Sequence, residues 1–325
     1  MHVLVTGAGG FVGQALIQRL LTGGTTPRAL TRLTAIDTQF GPGTAAWHSD
    51  ARVQLLTGDF ADIGLLAQAL TVPADWVFHL ASVPGSLAER EQALGLQVNL
   101  LAPLALLQRL AEQAGQAEQA NPCVRPRVVF ASSVAVYGNL PTTGRIDESC
   151  ATHPMLGYGA HKRMTEIFLA DLSRQGRLDG ISLRLPGIVA RPLSPTGHGS
   201  AFMSDLIRCL GAGQAYVCPV SREASAWWMS LSCCVDNLLH AARLPATLEL
   251  QRRTVQLPVI TATVGEVVQA IEAVTGLRAE VRYSPNENIE TLFGCLPPLD
   301  TPQACQLGFC DDGTLVQLVR QALSP

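Results

Sequence analysis

Charge is scarce in this chain. Asp, Glu, Lys and Arg make up 15% of its 325 residues, against roughly a quarter in an ordinary soluble protein. The net charge is −3 and there is no long basic run, which argues against binding nucleic acid through a charged face. No apolar stretch reaches about 18 residues without a polar interruption, so no membrane span is expected. No basic segment precedes an apolar one at the N-terminus, so no signal peptide is expected and the chain is placed in the cytoplasm. The nine cysteines form no C-x-x-C, and H-E-x-x-H is missing. A zinc site or disulfide framework is therefore not expected; reduced, buried thiols are. G-x-S-x-G is also missing, which removes the common serine-hydrolase pattern.

Apolar residues are plentiful at 47%, enough to bury a sizeable core. The first of them, His2-Val3-Leu4-Val5-Thr6, read as a strand. Gly7-Ala8-Gly9-Gly10-Phe11-Val12-Gly13 follow, and then a helix-like segment over Gln14–Leu21. Strand, glycine turn and helix together make a cradle for dinucleotide phosphates. Gly7 allows the tight turn, Gly10 lets the backbone approach the pyrophosphate, and Gly13 lets helix pack on strand. The phosphates would meet free N–H groups at the helix N-terminus, where the dipole favours negative charge. Glycine clusters also mark plain turns. A second strand over Leu33–Asp37 ends in an acid 24 residues beyond Gly13, near the offset of a ribose-binding carboxylate. Asp37 would repel a 2′-phosphate, and Thr38 and Gln39 bring no cation for one, so NAD is favoured over NADP. The other reading of Asp37 is a strand-end cap.

Further strand-like runs are Val53–Leu56, Trp76–Leu80, Arg127–Ala131 and Ile181–Leu185. Helix-like stretches lie between them at Gln92–Ala114 and Tyr158–Gln175. This alternation predicts an α/β fold with a doubly wound parallel sheet of Rossmann type. Residues 115–126 read as a surface loop. After Pro186 the elements shorten. A turn-rich loop over Arg191–Gly199 precedes a helix near 200–210, a strand near 215–219, and helices near 233–243 and 263–275. The expected division is a cofactor domain over 1–190 and a smaller α/β substrate-binding region over 191–325, partly interleaved.

Of the four tyrosines, Tyr158 alone has a lysine four residues on, Lys162. On a helix the two share a face. A free phenol has a pKa near ~10; a neighbouring ammonium favours the phenolate, which can take a proton from an alcohol. Lys162 could also hold a ribose. Taken alone, such a pair also fits a solvated helix face. Upstream, Ala131-Ser132-Ser133-Val134-Ala135-Val136-Tyr137-Gly138 close the fifth strand, with Ser133 lying 25 residues before Tyr158.

With these motifs in combination, residues 1 to about 245 resemble the extended short-chain dehydrogenase/reductase family, of the NAD-dependent epimerase/dehydratase type. The resemblance implies an NAD-dependent oxidoreductase acting on a CH–OH group, with Ser133, Tyr158 and Lys162 as the catalytic triad. It places the cofactor on Gly7, Gly10, Phe11, Val12, Gly13 and Asp37, on Asp59 and Phe60, and on the strand-four wall at Leu80, Ala81 and Ser82. Asn99, Tyr158 and Lys162 complete that set, and Tyr137 is structural. Leu100-Leu101-Ala102-Pro103 depart from the Gly-Thr of many relatives. Val134 and Ala135 stand where dehydratases carry Asp-Glu, so dehydration lacks its acid and base.

The segments Leu183–Pro192, Val217–Val220 and Trp227–Ser230 resemble the family's four-carbon sugar-acid dehydrogenases. They imply oxidation of the C2 hydroxyl of a short sugar acid, with Ser133, Tyr158 and Arg191 meeting the substrate. Arg191 is equally readable as a surface charge, whereas Trp227 and Trp228 read as core or lid packing rather than recognition. A nucleotide-sugar 4-epimerase/reductase and a non-catalytic NAD-sensing protein stay open as alternatives. The expected partners are a small-molecule substrate and a second copy of the chain, since similar family members pair through the helices near 92–114 and 158–175.

Overall fold

The computed structural model describes residues 1–118, 125–141, 144–192, 199–245 and 253–324. They form two compact units. One comprises Met1–Val136, Pro154–Arg184 and Leu238–Val255; the other Tyr137–His153, Leu185–Asn237 and Gln256–Pro325.

The first unit is built on a seven-stranded sheet. Its strands are β1 (His2–Thr6), β2 (Arg32–Asp37), β3 (Val53–Thr57), β4 (Trp76–His79), β5 (Arg127–Ser133), β6 (Asp179–Leu185) and the short strand Thr254–Gln256. The spatial order runs from Thr254–Gln256 through β6, β5, β4, β1 and β2 to β3. Neighbours from β3 to β5 pair in parallel. The chain lays β1, β2 and β3 outward in one direction, then returns to lay β4, β5 and β6 in the other. The order therefore reverses between β1 and β4, and in such sheets the crevice outside the carboxyl ends of those strands binds ligands.

Helices α1 (Phe11–Leu21), α2 (Ile63–Ala69), α3 (Gly85–Arg90), α4 (Gln92–Leu96), α5 (Ala102–Glu118) and α6 (Gly157–Arg174) connect the strands. Every residue of β1 and β4 is buried, as expected of central parallel strands covered on both faces. The helical run Gln92–Gln116 has the length and composition to cross a membrane. Here Ala102, Leu106, Leu107, Leu110 and Ala111 bury one face of it in the core with Val77, Val128 and Phe130. A π turn, Gln97–Leu101, joins α4 to α5. The expected loop over 115–126 is shorter at its start, because α5 runs on to Glu118; 119–124 lie outside the described residues. A helical apolar repeat continuing through Ala114 outweighs the polar composition that suggested a loop.

The second unit centres on a three-stranded sheet. The strand Ser225–Ser230 pairs antiparallel with Ile260–Thr263 and parallel with Gly187–Val189. Trp227 and Trp228 project to opposite faces of their strand, yet both are fully buried. Their indole N–H groups donate to the carbonyls of Pro297 (2.7 Å) and Ala262 (3.0 Å). They are core residues. Tyr137 packs edge-on against Trp227, with ring centroids 6.2 Å apart. Helices Ala201–Gly211, Val264–Thr275 and Leu315–Leu323 bury their apolar faces in this unit's core. Most of the turn-rich loop, 193–198, lies outside the described residues.

Candidate active site

The glycine turn after β1 is demanded by packing at two of its three named positions. Gly7 has φ +70°, and a Cβ there would meet Ala81 N at 2.6 Å. The turn after β1 is thus pressed against the Leu80–Ser82 wall after β4. A Cβ on Gly13 would lie 2.1 Å from the Gly7 carbonyl, so only glycine lets α1 start this close to β1. Gly10 is different. A Cβ there would meet only the Gly7 carbonyl, at 3.2 Å. The Gly7 carbonyl would have to give by a few tenths of an ångström to admit a side chain, so packing constrains this position less than the other two. Gly10 also caps α1 with no side-chain hydrogen bond, and the first turn carries no acid. The helix amides there suit an anion.

Asp37 ends β2 beside this turn. Its Oδ2 accepts the Gly9 N–H at 2.9 Å, and a Cβ on Gly9 would lie 2.3 Å from the Gln39 carbonyl. Gly9 thus belongs to the cradle, although spacing alone did not single it out. Asp59 accepts the Ala61 N–H at 2.9 Å. Phe60 is buried edge-on to His79, centroids 5.2 Å apart. His79 bridges β1 and β4 through Thr6 Oγ1, at 2.6 Å from Nδ1. Burial, with Lys162 as a second cause, lowers its pKa to about 3 and keeps it neutral. Asn99 sits in the π turn, fully buried. Its Oδ1 accepts the Val83 N–H (2.8 Å) and its Nδ2 donates to the Val83 carbonyl (3.0 Å). Its amide is spent on the chain just beyond the strand-four wall, while Ser82 is exposed.

The catalytic candidates come from two neighbouring elements. β5 ends at Ser133, whose Oγ accepts the Ala135 N–H at 3.2 Å. α6 carries Tyr158 and, one turn on, Lys162. Lys162 is 2% exposed. Its Nζ donates to the Ala131 carbonyl at 2.7 Å and lies 4.8 Å from the Phe130 ring centroid and 5.6 Å from that of Tyr158. Burial lowers its pKa to about 7, with Glu166 opposing. Lys162 is also the single lysine of the sequence, beside 22 arginines. An arginine stays charged in any protein environment, whereas a buried lysine amine titrates.

Two residues that position α6 escaped the sequence reading. A Cβ on Gly159 would lie 2.3 Å from the Ala135 carbonyl, so this glycine admits the helix against the turn after Ser133. Leu156 caps α6 without a side-chain bond; instead Glu89 of α3 accepts the Gly157 N–H at 2.6 Å. Arg191 belongs to the second unit. There its Nη2 donates to Ser200 Oγ (3.3 Å) and its N–H to Ser204 Oγ (3.0 Å), with Asp205 nearby.

A family model described as the NAD dependent epimerase/dehydratase family matches residues 3–244. The chain belongs to this family. D-erythronate dehydrogenase of Cupriavidus necator is 36% identical, over 98% of this chain and 97% of its own length. D-erythronate dehydrogenase of Haemophilus influenzae is 33% identical, over 99% and 98%. Among solved structures, the nucleoside-diphosphate-sugar epimerase of Agrobacterium tumefaciens matches with a TM-score of 0.88 at 30% identity, covering 100% of this chain and 96% of that one. This epimerase/dehydratase-family member is an NAD-dependent oxidoreductase, and the fold is that of the family. The cradle formed by Gly7, Gly10 and Gly13, with its uncapped helix amides and the Asp37 carboxylate, suits NAD.

Proposed function

We propose that this dehydrogenase oxidises the C2 hydroxyl of a short sugar acid, D-erythronate or a near analogue, to the 2-oxo acid. The observation that carries the reading is the Lys162 amine, buried beside Tyr158 and the strand end that bears Ser133. The nearly full-length similarity to D-erythronate dehydrogenases selects the substrate class.

In this reading Gly7, Gly10, Gly13 and the first amides of α1 hold the cofactor's phosphates, and Asp37 its ribose hydroxyls. Bound NAD supplies the acceptor for the C2 hydrogen, which leaves as hydride. Ser133 Oγ hydrogen-bonds the C2 oxygen and orients it. Tyr158 takes the hydroxyl proton as the C2–O bond gains double-bond character. Lys162, in its cationic form, lowers the energy of the Tyr158 phenolate. Arg191 is the candidate cation for the substrate carboxylate. The expected dimer forms through α4, α5 and α6.

The test is NAD reduction across four- and five-carbon aldonic acids, with nucleotide sugars as controls. D-Erythronate or a close analogue is expected to give the highest kcat/KM. Turnover of a nucleotide sugar with no response to any aldonic acid would move the protein to the epimerase reading. Arg191→Ala is expected to raise KM for the acid by about tenfold and leave KM for an uncharged polyol unchanged. Equal effects on both would remove Arg191 from this role.

A further inference from the structure

Behind Lys162 lies a second polar group that the proposed chemistry does not use. Glu166, one helical turn further along α6, is fully buried. Its Oε1 accepts Ser132 Oγ at 2.5 Å and Arg184 Nε at 3.0 Å. Its Oε2 accepts Arg184 Nη2 and Arg163 Nη1, each at 3.0 Å. Stability is a weak reason for this arrangement. Desolvating a carboxylate and a guanidinium costs as much as their attraction returns, and apolar residues of similar volume often serve a core equally well.

Its placement offers a better reason. Ser132 lies between Ala131, whose carbonyl accepts the Lys162 Nζ, and Ser133. One strand end therefore carries the acceptor of Lys162, the tether to Glu166 and the serine of the triad. We propose that Glu166 is the positioning residue of this site: its carboxylate ties that strand end to the helix bearing Tyr158 and Lys162, and supplies the negative charge that favours the cationic form of Lys162. This rests on the reading that Lys162 serves Tyr158.

The groups facing Lys162 support the assignment. From β4 comes His79, held neutral by its own burial. From β5 comes Phe130, which is apolar. From α6 come Tyr158 and Glu166. Arg184 on β6 and Arg163 on α6 face the carboxylate and pair with it. Burial drives the lysine towards neutrality, and Glu166 is the group that opposes it.

The sequence makes a direct test available. Because Lys162 is the only lysine, protein grown on side-chain-labelled lysine and carrying no lysine in any tag shows one lysine amine resonance. Its titration midpoint is read by NMR without substrate or turnover. Glu166→Gln is expected to lower the midpoint by about one pH unit or more, since the opposing charge is gone. Arg163→Gln, at a partly exposed position, removes a cation from the same carboxylate and is expected to raise it. Ser132→Ala keeps the charge and cuts the tether, so the midpoint is expected to hold while kcat falls.

A midpoint unmoved by both charge variants would overturn the proposal, as would a Ser132→Ala shift as large as that of Glu166→Gln. Should Glu166→Gln not fold, the sign of the Arg163→Gln shift decides alone. Failure of every sugar acid in the assay would leave the midpoints readable, so the two readings fail separately.

Discussion

At the scale of single residues, composition and geometry converge on position 162. The chain uses arginine 22 times and lysine once, and the one lysine is buried against Ala131 and the Tyr158 ring. A structural cation could have been another arginine; a group that tunes a phenol by its own charge state benefits from an amine. Tyr158→Phe is expected to lower turnover by on the order of 10² or more and to leave NAD binding largely intact. Steady-state kinetics with calorimetric NAD titration checks it, and a fully active variant would remove the phenol from the chemistry. Asp37 yields a second expectation. In its proposed role the carboxylate accepts ribose hydroxyls and repels an added phosphate, so NAD should bind at least about tenfold more tightly than NADP, roughly 1.4 kcal/mol. Comparable dissociation constants for the two would count against it.

At the scale of elements, the site depends on how closely α6 approaches the turn that follows β5. Gly159 sets that approach, because a Cβ would lie 2.3 Å from the Ala135 carbonyl and 3.1 Å from Pro154 Cβ. Backbone, not a flexible side-chain tip, stands in the way. Gly159→Ala is therefore expected to push the first turn of α6 outward and displace Tyr158. A shift of that kind costs about tenfold to a hundredfold in kcat, and overpacking costs about 1–3 kcal/mol in stability. Chemical unfolding read beside kcat checks both, and an unchanged kcat would show that the helix can pivot without moving the phenol. Y-G-x-x-K is visible in the sequence, but the carbonyl that forbids a side chain at 159 lies 24 residues upstream. Only the packed elements show which glycine is constrained.

At the scale of the whole molecule, low charge and a high apolar content fit a subunit that hides surface. On the first unit, exposed apolar side chains lie on the helices of the proposed pairing. Leu94, Leu96 and Leu101 on the run through α4 and the π turn, and Met164 and Ile167 on α6, are exposed; Ile167 reaches 54% and Leu101 46%. These are the helices through which pairing is proposed. Leu101→Glu combined with Ile167→Glu is expected to halve the mass seen by light scattering, while circular dichroism of the fold is retained, because like charges would face each other across a two-fold contact. A wild-type mass equal to one chain at every concentration would refute the dimer.

The local sequence was sufficient wherever one stretch of chain contains the whole signal. β1, the glycine turn and α1 lie within 20 consecutive residues, so strand pattern, turn and helix start could be read together. The apolar runs of β4 and β5 likewise pointed to a parallel sheet, since strands buried on both faces need no partner to be recognised. Residues that act across the fold were decided by tertiary structure. Glu89 holds the start of α6 from 68 residues away, and Glu166 reaches Ser132 across 34. Each is an ordinary acid on a helix until packing brings its partner within hydrogen-bond distance. The two tryptophans became core residues only when Ser225–Ser230 was covered on both faces. Chain order carries the chemistry of neighbours, but burial and charge compensation belong to contacts that only the folded chain makes.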